Sequence, residues 1–189
     1  MMDFIKRIFK RNKPETFGEF MQSNGDDPDL ILLIQSINRS NHLYNKSIGP
    51  IEEMTYGDVC DLRDQYISDP LIAICLLYDL QKPLSLARLY SLNAKAAMYL
   101  WAWLNEQFVM LSKKEELLNV DDPLMDAAGA GVLTKYGSIN VIDHLANGDI
   151  TKWKDVRKMM YTEVFVKLLK DKETEEVKRA YADLIKPKK

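Results

Sequence analysis

The chain is short of what site chemistry usually needs. It holds two histidines and two cysteines in 189 residues. His42 and His144 lie far apart, and neither has a partner at ligand spacing, so both read as surface or lightly packed side chains. Cys60 and Cys75 sit among apolar neighbours and read as reduced core thiols in a cytosolic setting, not as a disulfide framework or a metal knuckle. No apolar run approaches the ~18–20 residues of a membrane span. No uninterrupted apolar segment follows the basic N-terminal residues, so no signal peptide is expected. "GAG" at 129–131 lacks a third glycine and a clear preceding strand, and no phosphate-loop pattern occurs. No Ser–His–Asp or Cys–His set can be assembled. The expectation is a non-enzymatic protein without cofactor or metal.

What is present suits a buried core. The chain is 47% hydrophobic and 29% charged, with 8 glycines and 7 prolines. Net charge is −2, but unevenly spread. Residues 1–14 carry five cations against Asp3 alone, a net +4. Residues 15–80 carry twelve acids against Arg39, Lys46 and Arg63, a net −9, and residues 81–189 come to +3. Such polarity suits head-to-tail contact between copies or an oppositely charged partner, and equally an unevenly charged solvated surface. Basic segment 1–14, one helical domain over 15–185 and a basic tail at 186–189 are the expected organisation.

The dominant period is helical. "DDPDL" at 26–30, "SDPLI" at 68–72 and "DDPLM" at 121–125 share one start signal. Asp caps free amides, and Pro at the first helical position lacks an amide that would go unpaired. Helices are therefore predicted to start near Asp27, Asp69 and Asp122. Leu30, Leu33, Ile34 and Ile37 form one apolar stripe, and 41–50 reads as a loop. "TYGD" at 55–58 resembles a capping box opening a helix to about Tyr66. "PLIAICLLYDL" at 70–80 is apolar nearly all round, as a central helix would be. From Leu84 to Leu118, Ala87, Tyr90, Ala94, Ala97, Trp101, Leu104, Phe108 and Leu111 make a heptad-like seam. Leu100, Trp103 and Met110 add apolar surface on another side, and one of the two tryptophans could be an exposed anchor. Unbroken, this helix would run about 52 Å, and Ser91 and Asn93 offer a place to break it.

Residues 127–142 could be two helices separated by glycines, or a hairpin around Tyr136-Gly137; helix is favoured. Ile139, Ile142 and Leu145 then sit at helical spacing, with a left-handed stop at Asn147-Gly148. Asp149 or Thr151 caps a helix to about Met159, in which Trp153, Val156 and Met160 pack inward while Lys152, Lys154 and Arg157 stay wet. A last helix runs from Thr162 toward Ile185, with "KDKETEE" as a solvated face or a break. Asp143, Asn147 and Asp149 lack the alternation and distal Glu of a calcium loop and are explained as helix stop and start. Asp58, Asp61 and Asp64 cluster charge on one helix face; a cation or basic partner could use it, and a solvated face is the favoured reading.

The most suggestive short element is "DFIKRIFKRNK". Phe4, Ile5, Ile8 and Phe9 share one side of a helix, with Lys6, Arg7, Lys10, Arg11 and Lys13 around the other. Such a segment could lie on an anionic membrane, meet nucleic-acid phosphates or dock in a partner groove. Docking on a protein is favoured, with phosphate contact second.

Together these readings give an all-α fold, a bundle-like or orthogonal single domain with a long central helix and a basic amphipathic N-terminal helix. One pattern adds a resemblance. Asp143-x-x-Ala146-x-Gly148-Asp149-Ile150-x-Lys152-Trp153-x-x-Val156, followed by Tyr161-x-x-Val164-Phe165-x-x-Leu168, is similar to small helical proteins from structural modules of tailed bacteriophages, crAss-like phages in particular. It covers about 137–170 and consists of joint and packing residues. The resemblance implies a virion component, such as a ring subunit of the head–tail connector beside the portal and tail proteins, made in the host cytoplasm. Its alternatives are a tail-assembly chaperone not retained in the virion and a helical nucleic-acid-binding adaptor.

Overall fold

Local capping chemistry decides where most of the helices begin. The computed structural model describes residues 16–43, 46–79, 85–120 and 127–185. They are helical apart from turns and one two-residue antiparallel pairing, so the all-α expectation holds. The chain divides into two compact units, one from the described parts of 1–50 and 61–110, the other from 51–60 and 111–189.

In the first unit, Thr16 and Glu19 form a full capping box. The Glu19 amide donates to Thr16 Oγ1 and the Thr16 amide to Glu19 Oε2 at 2.9 Å. This opens α1 (Phe17–Asn24), which buries Phe17 and Phe20 with rings stacked 6.3 Å apart. Each contributes about 1.5–3 kcal/mol by leaving water. The Phe17 amide donates to Leu92 O at 2.7 Å, tying α1 to the turn after α5 (Leu86–Tyr90).

The predicted start at Asp27 is corrected by three residues. Asp27 Oδ1 accepts the Asp29 amide at 2.9 Å, so its carboxylate serves a turn around Pro28, and α2 (Leu30–Ser36) follows. Its stripe of Leu30, Leu33 and Ile34, continued by Ile37, is buried as expected. The 41–50 loop contains the antiparallel pairing of β1 (His42–Leu43) with β2 (Lys46–Ser47).

Helix α3 (Tyr56–Ser68) and helix α6 (Ala94–Glu115) each contribute residues to both units. The start signal at Asp69 holds: its Oδ1 accepts the Leu71 amide at 2.9 Å, and Pro70 is the first residue of α4 (Pro70–Asp79). Ala73, Ile74 and Leu77 are fully buried there, while Ile72 is exposed. The long helix breaks where Asn93 permits, its Oδ1 accepting the amides of Lys95 and Ala96 at the head of α6. Along α6, the seam from Ala94 to Leu111 is buried, and so are both Trp101 and Trp103, neither of which is an exposed anchor. Ala87 and Met110 are exposed instead. Tyr66 donates its hydroxyl to Asn105 Oδ1 at 3.0 Å, and burial pushes its phenol above the ordinary value.

In the second unit, Thr55 Oγ1 accepts the Asp58 amide at 3.2 Å and donates to the Asp58 carboxylate, so "TYGD" does open α3. Thr55 also forms a bridge with Met160. The Tyr56 and Tyr161 rings stack 6.3 Å apart, and Tyr161 donates its hydroxyl to Glu115 Oε1 at 2.6 Å. Lys114 pairs with Glu52 at 2.8 Å and lies over the Phe165 ring. Gly57 lets the end of α8 (Trp153–Lys158) approach, since a Cβ there would lie 2.9 Å from Arg157 O.

The start predicted at Asp122 lies outside the described residues. Residues 130–136 form a 3-10 turn followed by α7 (Ser138–Leu145), which decides for helix over hairpin. Residues 161–185 form one unbroken helix, α9 (Tyr161–Ile185), and "KDKETEE" is part of it.

Candidate functional site

The second unit's C-terminal part gathers the residues that the sequence singled out as an identifying pattern. Helix α7 ends in a paired backbone closure. The Gly148 amide donates to Asp143 O at 2.9 Å and the Asn147 amide to His144 O at 3.1 Å. That pattern requires a left-handed residue, and Asn147 supplies it at φ 54, with Gly148 following at φ 74. Asp149 then caps the next turn: its Oδ1 accepts the Thr151 amide at 3.0 Å and the Thr151 hydroxyl at 2.6 Å. These bonds and Lys152 hold the Asp149 carboxyl below the usual range, the Thr151 hydroxyl first among the causes. Asp143 Oδ1 accepts Trp153 Nε1 at 3.2 Å, so it braces the two sides of the joint.

Each acidic group of this joint therefore has a structural occupation. Ala146, Val156, Tyr161, Val164 and Phe165 of the pattern are buried, which makes it a packing pattern. Two of the expected orientations are corrected. Met160 is exposed because its backbone follows the extended Met159 out of α8. Arg157 is half-buried because its guanidinium reaches Gly57 O at 3.5 Å.

Beside the joint, His144, Asn147, Lys167, Asp171, Thr174 and Lys178 line an open cleft of about 430 Å³. Asp171 is its electrostatic centre, bridged by Lys167 and by His144 Nε2 at 3.2 Å. Lys167 first, then His144, hold its carboxyl below the ordinary range. His144 is exposed, and the Thr174 hydroxyl of the same cleft donates to Lys170 O at 2.7 Å. The cleft can hold counter-charges.

Beyond the cleft, α9 has a second feature. Every residue from 173 to 185 is exposed, including Val177, Tyr181, Leu184 and Ile185. Their steps of four and three were readable as a helical stripe, the same signal that identifies core faces. The sequence reading missed it because spacing alone does not say what covers a stripe.

The predicted docking residues, Phe4, Ile5, Lys6, Arg7, Ile8, Phe9, Lys10 and Arg11, lie outside the described residues. Asp61 and Asp64 are exposed on α3, while Asp58 is occupied by Thr55. Cys60 and Cys75 are buried and free of disulfides. Among the described residues, no helix is long and apolar enough to cross a membrane, and no three His, Cys, Asp or Glu side chains are grouped to hold a metal. In comparisons with protein-family models, curated proteins and solved structures, none matches this chain.

Proposed function

We propose that this protein is a structural subunit of a tailed-phage particle, a helical, non-enzymatic protein that self-associates side by side into a ring of the head–tail connector. The observation that carries the reading is the exposed apolar stripe on the second half of α9, an area of helix that its own unit leaves uncovered. The resemblance over 137–170 supplies the class of assembly, and its residues are the ones that set the α7–α8–α9 joint. In such a ring the acidic stretch 15–80 meets a basic surface on a neighbour. The segment with Phe4 to Arg11 docks on an adjacent layer, the portal or a tail protein.

Light scattering on the purified chain tests the ring, which predicts a defined high-order oligomer. A monomer or dimer that co-purifies with one client would instead identify an assembly chaperone. A salt-sensitive shift with DNA, lost on removing residues 1–13, would identify a nucleic-acid adaptor. Peptide mass spectrometry of purified particles is the decisive experiment: absence from the virion overturns the proposal.

A further inference from the structure

We infer that the second half of α9 pairs with the same segment of a second copy, parallel and in register. This deepens the reading of a self-associating subunit and rests on it. Val177, Tyr181 and Leu184 are 69%, 64% and 84% exposed, and Ile185 beside them is 64% exposed. Stepping by four and three, they occupy consecutive core positions of a heptad, d, a and d. That assignment places Glu173 at a g position and Lys178 at the next e position. In a parallel pair g of one helix meets the following e of its neighbour, so Glu173 faces Lys178 of the second copy from both sides, and Lys178, which pairs with Glu175 of its own helix, would be shared between the two carboxylates. In an antiparallel pair e faces e and g faces g, and Glu173 never meets Lys178.

Charge also sets the limit of the contact. Extending the same heptad toward the N-terminus puts Thr174, then Lys170 and Lys167, at core positions; Thr174 spends its hydroxyl on Lys170 O, and the two lysines would set like charges against each other. Those two lysines line a shallow depression with Thr162, Glu163 and Val166. Pairing is therefore confined to 173–185, the part of α9 that is exposed throughout. A parallel, in-register pair uses the same face of both copies and closes at two, so in a larger ring it supplies a two-fold unit that other surfaces join. The seam is short, so the pair alone is weak.

The test uses the full chain in sedimentation at rising concentration. Val177→Glu with Leu184→Glu should weaken self-association roughly a hundredfold or more, with helix content and melting temperature of the dilute protein unchanged. Glu173→Lys should weaken it about tenfold, and Glu173→Lys with Lys178→Glu should restore it. Leu184→Cys should oxidise to a dimer linked through that residue to its own copy. Assembly unchanged in the Val177/Leu184 variant, or failure of the double reversal to restore it, overturns the inference. Absence from the virion leaves the pairing standing while removing the ring reading, and presence in the virion with no effect of these variants does the reverse.

Discussion

Helices α6 and α9 are nearly equal in length, 22 and 25 residues, yet they are held in opposite ways. Helix α6 buries Ala97, Met98, Leu100, Trp101, Ala102, Trp103 and Leu104, so its middle turns are covered nearly all round, and exposed apolar residues come only at Val109 and Met110. Helix α9 buries only Tyr161, Val164 and Phe165, all in its first turns. Past them, its anchors include His144 Nε2 on Asp171 at 3.2 Å, Lys172 Nζ donating to Leu117 O, and ion pairs along its own surface, Lys172 with Glu176 and Lys178 with Glu175. Such i,i+3 and i,i+4 pairs contribute about 0.2–0.5 kcal/mol each. One helix is thus stabilised by tertiary packing and the other by an anchored end plus local pairs. The difference marks α9 as the element with surface to spare for a neighbour.

The sharpest way to break that comparison is to shorten one leucine in each helix. Leu104→Ala should cost about 2–5 kcal/mol in denaturant unfolding, because Leu104 is fully buried and leaves a cavity. Leu184→Ala should stay within about 0.5 kcal/mol in dilute protein and act only on assembly. Equal losses in the two variants would show that α9 is as enclosed as α6.

A smaller effect tests the close approach that anchors the unit carrying α9. Gly57→Ala sets a Cβ 2.9 Å from Arg157 O, a backbone atom that cannot swing aside. Helix propensity alone would favour Ala by about 1 kcal/mol. The net effect should nevertheless be a loss of about 1–3 kcal/mol, read as a lower melting temperature. A gain in stability would mean that α3 and α8 can separate there without cost.

Local chemistry was the legible part of this fold. Asp69, Thr55 and Asn93 cap helices because each satisfies amides two or three residues away, and nothing distant competes. Asp27 shows the limit: its Oδ1 accepts the Asp29 amide alone, where Asp69 accepts those of both Leu71 and Ile72, and a turn at 28–29 precedes α2. Thr16 and Glu19 formed a capping box that the pattern T-x-x-E would have disclosed. Trp101 and Trp103 were undecidable from spacing: side chains two apart on a helix point about 200° away from each other. Whether both are buried depends on covering elements far off in sequence. The stripe at Val177, Tyr181 and Leu184 failed for the converse reason, because a core face and an interface face share one period. The joint at Asp143–Thr151 was read correctly as helix stop and start, since backbone closure and capping are nearest-neighbour events.

Thr16→Ala should cost about 1 kcal/mol, with the loss confined to the unit containing α1. If instead the unit carrying α9 were the one to loosen, the capping account of α1 would fail.

The smallest effect concerns acid. Asp171 is ionised more readily in the folded chain than its ordinary value of 3.8, held so by Lys167 and then His144. A depressed carboxyl contributes stability that is complete above that ordinary value and is lost as pH falls through the lower folded one. Asp171→Asn should therefore be slightly less stable than the parent near pH 6, and the two should converge as pH drops below about 4. High salt should narrow the gap, because Lys167 and His144 are both more than half exposed. A gap that persists at low pH would assign the role of Asp171 to packing of its side chain against the α7 end, and not to its charge.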